Sequence, residues 1–262
     1  MVLPNKTGIW AHRGMGLLSA EKYHIPPNSL AAFEWTAKLG IDGFETDICL
    51  TKDEEPIIYH PGTLEPNPQL ESWIATQWHQ PDILHLKDLL NFLAGNPSID
   101  CLLHIKENSS LLIEKIVTEV GKARLCDQVF LTTSSQQSKL AGLTIDGNWL
   151  KYAKNIDPQI GIHVIDILPF NILKTAKEFR ADIISFGWLN DSFISRVVFE
   201  LIFYKKILRQ LVKRKSSLKI FGGITQTLKQ MQHLLDCTDN LIDGIITDDP
   251  EATLEYLNTR PR

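Results

Sequence analysis

The chain has 262 residues, enough for one large core or two small ones. Its 44% hydrophobic and 22% charged residues are an ordinary globular balance. A formal net charge of −4 offers no electrostatic footprint for nucleic acid, and no run of about 18 uncharged apolar residues is present to span a membrane.

In chain order, Gly8–Ala11 is a short apolar run ending in His12-Arg13-Gly14, which predicts a first strand. A polar loop is expected up to Pro26-Pro27. Asn28 or Ser29 then caps a helix through Leu39, with Gly40 as its stop. Asp42–Thr51 reads as strand two, Lys52–Glu55 as a turn, and Pro56–His60 as a returning extended run. Residues 61–82, rich in Pro, Gln and Trp, have no clean period and read as loop. Leu84–Ala94 predicts a short helix closed by Gly95, Cys101–Lys106 strand three, and Leu111–Leu125 an amphipathic helix.

Val129–Thr133 predicts strand four, followed by a weak helix from Ser138 to Leu143. Gly161–Ile165 is strand five, Phe170–Phe179 a helix, Asp182–Phe186 strand six, and Ser192–Lys213 a long helix. Leu218–Phe221 is strand seven, with Gly222-Gly223 and a helix from Thr225 to Leu235 after it. Gly244–Thr247 is strand eight, and Pro250 opens the last helix. Eight strand–helix units with no linker-like break imply a parallel sheet, and about 250 residues is the scale of a TIM (β/α)8 barrel. The expectation is one barrel domain over residues 1–262. A doubly wound open sheet is the alternative, but it would carry a glycine-rich fingerprint after strand one that is absent here.

Cys49, Cys101, Cys126 and Cys237 have neither CxxC nor zinc-ligand spacing and read as free thiols of a reducing compartment. The N-terminal residues lack a charged-then-apolar leader, so a cytoplasmic protein is expected.

The chemistry concentrates in Phe44–His60. Glu45 and Asp47, two apart in a strand, share one face. If the chain folds back between Asp53 and Glu54, Asp47 lies opposite His60. Two carboxylates at one spot repel unless a cation lies between them, so a divalent metal is expected there, with the histidine as acid or base. In a TIM barrel the active site lies at the C-terminal ends of the strands. His12 and Arg13 end strand one, His104 and Lys106 share a face at the end of strand three, and Asp248 and Asp249 follow strand eight. Gly222-Gly223, with Thr225 capping the next helix, reads as a tight turn, or alternatively as a phosphate cradle. The apolar, then basic stretch Val197–Lys215 reads as an outer helix with a solvated end, or as a contact with an anionic membrane.

An ordered set of segments carries a resemblance to a known family. The segments are Trp10–Gly14, Pro27–Phe33, Gly43–Asp47, Thr51-Lys52-Asp53 through Pro56–His60, and Asp243–Pro250. Together they resemble the glycerophosphodiester phosphodiesterase family, whose barrel is of the PLC-like phosphodiesterase type. The resemblance implies cation-dependent hydrolysis of small-molecule glycerophosphodiesters to glycerol 3-phosphate and an alcohol, commonly with calcium or magnesium. Carried over, His12 and His60 match the catalytic pair, Arg13 the phosphate-binding arginine, and Glu45 and Asp47 two metal ligands. Lys106 adds a positive charge on the substrate side.

The chain departs from that pattern in its acidic shell. His104-Ile105-Lys106 stands where the family has Glu-Ile-Lys, so His104 takes the place of the third metal ligand. Pro27 and Pro61 stand where acidic residues are usual, and Phe221–Thr225 replaces a Trp-Thr. An imidazole in place of a carboxylate removes a charge and favours manganese, iron or zinc over calcium or magnesium. Three readings follow: a metal-dependent glycerophosphodiesterase, a phospholipase D-like lyase on choline phospholipids with peripheral membrane contact, and a non-catalytic phosphodiester-binding relative.

Overall fold

The computed structural model describes residues 7–60, 83–135, 138–140, 143–166, 172–187, 217–238 and 241–259. The elements in order are β1 (Gly8–Ala11), a one-turn 3-10 helix (His12–Gly14), α1 (Leu17–Tyr23), α2 (Leu30–Leu39), β2 (Gly43–Leu50), β3 (Pro56–Ile58) and α3 (Leu86–Gly95). Next come β4 (Asp100–Ile105), α4 (Ser110–Ala123), β5 (Val129–Ser134), β6 (Ser138–Leu140), β7 (Leu143–Ile145) and α5 (Asn148–Ile156). The last are β8 (Gly161–Ile165), α6 (Ile172–Phe179), β9 (Ile183–Phe186), β10 (Lys219–Thr225), α7 (Leu228–Thr238), β11 (Gly244–Thr247) and α8 (Pro250–Thr259).

Strands β1, β2, β4, β5, β8, β9, β10 and β11 pair in parallel, and β1 pairs with both β2 and β11, so the sheet closes into an eight-stranded barrel. This is the expected TIM barrel. β3 runs antiparallel on β2 as a rim extension. Local sequence sets several boundaries as expected. Ser29 Oγ accepts the Ala32 N–H at 3.2 Å to start α2, and Gly40 ends it in the left-handed region at φ 72°.

Alternation along the strands sorts the core into two layers. Outward residues pack beneath the helices; Phe44, for example, stacks on Phe33 of α2 with ring centroids 4.3 Å apart. Inward, Trp10, Leu102, Phe130, Ile183, Phe221 and Ile246 form an apolar plug that fills the barrel. Two residues beyond five of these plug residues stand His12, His104, Thr132, Ser185 and Asp248. The polar layer therefore sits one pleat above the plug, at the C-terminal mouth.

Four expectations are corrected. The loop before Pro26 contains α1, a seven-residue helix too short to show a period. Ser138–Leu143 is not a helix: Ser138–Leu140 and Leu143–Ile145 pair antiparallel, and a helix follows only at Asn148. Thr144 and Ile145 are β-branched and favour the pleated conformation. Thr225 does not cap a helix: it ends β10, its hydroxyl bonds the Ile246 carbonyl at 3.4 Å, and α7 begins at Leu228. The hairpin register is also shifted by one. Ile48 pairs with Ile58 and Leu50 with Pro56, so partners sum to 106 and Asp47 faces Tyr59 rather than His60. Three residues lie between Thr51 and Glu55, with Glu54 left-handed at φ 67°, instead of a fold between Asp53 and Glu54.

The loop at 61–82, the helix Ser192–Lys213 and the membrane-contact stretch Val197–Lys215 lie outside the described residues. Among the described residues, no helix is long and apolar enough to cross a membrane.

Candidate active site

Strand register brings the sequence-predicted residues together. β1 pairs Ala11 with Phe44 on one side and with Thr247 on the other, so the next residue, His12, falls between Glu45 and Asp248. β2 pairs Asp47 with His104 on β4. His12 Nε2 lies 3.8 Å from Glu45 Oε2, and His12 Nδ1 lies 2.7 Å from Asp248 Oδ1. Burial works to keep His12 neutral, but the Asp248 hydrogen bond and the Glu45 charge outweigh it, and its pKa is raised above the usual 6.5.

Arg13 follows at φ 52°, a left-handed conformation costly for a residue with a side chain. Its backbone N–H donates to Glu45 Oε2 at 3.1 Å and its carbonyl accepts from Asn28 N at 2.8 Å. The strained turn aims the guanidinium back across the mouth, where Nε comes within 3.5 Å of Asp47 Oδ2. Asn28, itself left-handed at φ 57°, donates from Nδ2 to Asp47 Oδ2 at 3.0 Å and accepts from Thr46 Oγ1 at 2.8 Å. Asp47 is fully buried, and its orientation is fixed from two sides.

Glu45 Oε1 lies 3.0 Å from His104 Nδ1, and Lys106 Nζ lies 2.9 Å from that same nitrogen and 2.9 Å from Asp47 Oδ1. Burial raises the Glu45 pKa, but the His104 contact and the charges of His12, His104 and Lys106 bring it below the usual carboxylate range. Burial, then the Lys106 charge, lowers the His104 pKa, which favours the neutral imidazole, the form that binds metal.

One ligand atom from each of Glu45, Asp47 and His104 can be chosen so that all lie within 4.8 Å of one another. These residues fit a divalent cation. Nδ1 of His104 faces an acceptor, Glu45, and a donor, Lys106, and one nitrogen cannot satisfy both. A divalent cation held by Glu45, Asp47 and His104 would take the Nδ1 lone pair and leave Lys106 to Asp47 Oδ1, 2.9 Å away. Two oxygens and one imidazole nitrogen form a mixed donor set, softer than an all-oxygen shell.

His60 reaches the same mouth despite the shifted register. The Tyr59 N–H donates to the Asp47 carbonyl at 2.9 Å, so His60 is the next residue above that level. Burial lowers its pKa, and Asp47, Lys106, Arg13 and Glu45 are the charges that act on it. All seven residues singled out from sequence therefore gather at one end of the barrel. Sequence reading missed the roles of Asn28 and Asp248 as partners of Asp47 and His12. The barrel period signals Asp248, since it stands two residues past the plug residue Ile246.

His163 lies fully buried on β8, with Nδ1 3.1 Å from the Thr132 hydroxyl, and Nε2 has no hydrogen-bond partner among the described residues. Burial pushes its pKa down to about 3.

The chain is similar to known proteins in sequence and in fold. Residues 12–89 match the family described as glycerophosphoryl diester phosphodiesterase. The chain is 22% identical over 278 residues to a glycerophosphodiester phosphodiesterase of Caldanaerobacter subterraneus, covering 96% of this chain and 98% of the relative. A glycerophosphodiester phosphodiesterase from Parabacteroides distasonis superposes with a TM-score of 0.72 at 16% identity, over 98% of this chain and 99% of that one. An Oleispira antarctica phosphodiesterase, solved with the product sn-glycerol-3-phosphate, superposes with a TM-score of 0.64 at 16% identity, over 96% and 97% of the two chains. Over residues 12–89 and along the full-length relative the chain is similar to glycerophosphodiester phosphodiesterases, and the solved structures share its barrel fold.

Proposed function

We propose that the protein hydrolyses glycerophosphodiesters to glycerol 3-phosphate and an alcohol, using a divalent cation held by Glu45, Asp47 and His104. The observation that carries this reading is the convergence of His12, Arg13, Glu45, Asp47, His60, His104 and Lys106 on one barrel mouth. When bound, the cation supplies positive charge against the non-bridging phosphate oxygens.

Arg13 and Lys106 contribute charge on the same side, Arg13 through its planar fork and Lys106 as a point charge. They oppose the negative charge that develops as the attacking oxygen adds to phosphorus. One of His12 and His60 takes the proton from that oxygen. The other gives a proton to the departing alkoxide as the phosphorus–oxygen bond breaks. The mixed donor set favours manganese, iron or zinc over magnesium or calcium. A small-molecule substrate and a cytoplasmic site of action complete the reading.

The test is hydrolysis of glycerophosphocholine and bis(p-nitrophenyl) phosphate by metal-stripped protein. Calcium, magnesium, manganese, cobalt or zinc is added back, with His12→Ala and Glu45→Ala as controls. Turnover restored by a metal and lost in both variants supports the reading. No turnover with any metal from folded protein overturns it in favour of a phosphodiester-binding relative, and a cyclic phosphate product points to a lyase.

A further inference from the structure

His12 has two ring nitrogens in different surroundings. Nδ1 meets a buried carboxylate, Asp248 Oδ1, at 2.7 Å, and Nε2 faces the mouth beside Glu45. Asp248 is 2% exposed and His12 8%, so water does not compete for their contact. The carboxylate is itself held in place. Leu17 N donates to Asp248 Oδ1 at 3.0 Å, Leu18 N donates to the Asp248 carbonyl at 3.1 Å, and Asp248 N donates to the Thr225 carbonyl at 2.8 Å. Gly16, at φ 81°, allows the chain to pass close by, since a Cβ there would lie 2.5 Å from the Asp248 carbonyl oxygen. His12 O accepts from Gly16 N at 2.7 Å, which closes the turn between the two partners.

We propose that Asp248 is the positioning residue of His12: it fixes the neutral imidazole with its proton on Nδ1 and leaves the Nε2 lone pair for the phosphodiester. The catalytic consequence rests on the function proposed above, whereas the tautomer does not. A carboxylate accepts only, so the nitrogen it faces carries the hydrogen. An imidazole fixed in this way needs no reorientation before it exchanges a proton at Nε2. Loss of the carboxylate leaves the ring free to rotate or to swap tautomers while the metal-ligand candidates stay in place. Asp248 touches neither substrate nor cation in this account and acts only through His12.

Two measurements test this on the full chain. Nitrogen-15 NMR of the histidine side chains, at alkaline pH where the ring is neutral, should show His12 with a protonated Nδ1 and an unprotonated Nε2. The Asp248→Ala variant should lose that single-tautomer signature while its far-UV circular dichroism and the signals of the other histidines persist. In the metal-loaded enzyme, Asp248→Asn and Asp248→Ala should lower kcat by about 10²–10³-fold with KM changed less than about threefold, as expected for a group that orients an acid–base residue. A wild-type His12 protonated on Nε2, or folded variants with kcat near wild type, would overturn the assignment. If no metal restores turnover, the enzymatic reading fails, and the NMR result still decides whether Asp248 sets the His12 tautomer.

Discussion

Asn28 and Asp47 are joined by a 3.0 Å hydrogen bond made by a residue in the left-handed region, the second of two such turns that line the mouth. The bond leaves Asp47 Oδ1 as the oxygen directed toward Lys106 and His104. Replacing Asn28 by Gly keeps the backbone conformation accessible and removes only the side chain. The expected outcome is a 10- to 100-fold weaker apparent affinity for the added divalent ion, roughly the effect of losing a bond to a metal ligand. Calorimetric titration of manganese measures it. Asn28→Ala should show the same loss plus about 1 kcal/mol of destabilisation from forcing a Cβ into the left-handed region.

The donor set of the mouth can be altered at one position. His104→Glu exchanges a neutral nitrogen for an anionic oxygen, so preference should move toward magnesium and calcium and away from zinc. A relative change of about tenfold or more is expected, since hard cations favour an all-oxygen shell. Competition titrations between magnesium and zinc check this without any substrate. An unchanged ratio would exclude His104 from the ligand set.

His163 makes stability depend on pH with a defined sign. Its pKa in the fold is pushed down to about 3, below the ordinary 6.5, so the unfolded chain binds a proton between these values that the folded chain does not. Its neutral form is therefore accommodated in full above about pH 6.5, and stability is lost as pH falls toward 3. The expected slope is at most about 1.4 kcal/mol per pH unit from this residue. Urea unfolding at pH 7 and pH 4.5 should give a smaller difference for His163→Gln than for wild type.

The plug beneath the site should behave as a rigid core. Leu102→Ala removes a fully buried side chain from the apolar layer and should cost about 2–5 kcal/mol, depending on how far its neighbours relax. Thermal unfolding measures this, and a loss below about 1 kcal/mol would mean the barrel interior is loosely packed.

The barrel was legible in the sequence because each strand kept its own signal. Gly8–Ala11, Gly161–Ile165 and Gly244–Thr247 have the same bounds in the structure as in the sequence reading, since each is a short apolar run bounded by polar or turn residues. The site followed from it, because residues at strand ends converge once the strands close. The corrections came where local signals were short or ambiguous. The seven residues of α1 are too few for a period, and the Lys52–Glu55 turn admitted two loop lengths that differ by one residue. The Asp248–His12 pair was hidden for a different reason: 236 residues separate them, and only the closing pairing of β1 with β11 brings them together.

The polar layer stands one pleat above the plug, and this separates what keeps the protein folded from what gives it chemistry. Trp10 and Leu102 hold the strands apart at a set diameter, and His12 and His104 ride two residues higher on the same backbones. A donor can then be exchanged at the upper level, as a carboxylate for the His104 imidazole, without altering the frame that sets its reach. Mutational scanning should accordingly find two populations along the same strands: lower positions where substitutions reduce expression, and upper positions where protein accumulates normally and only its ion preference or turnover changes.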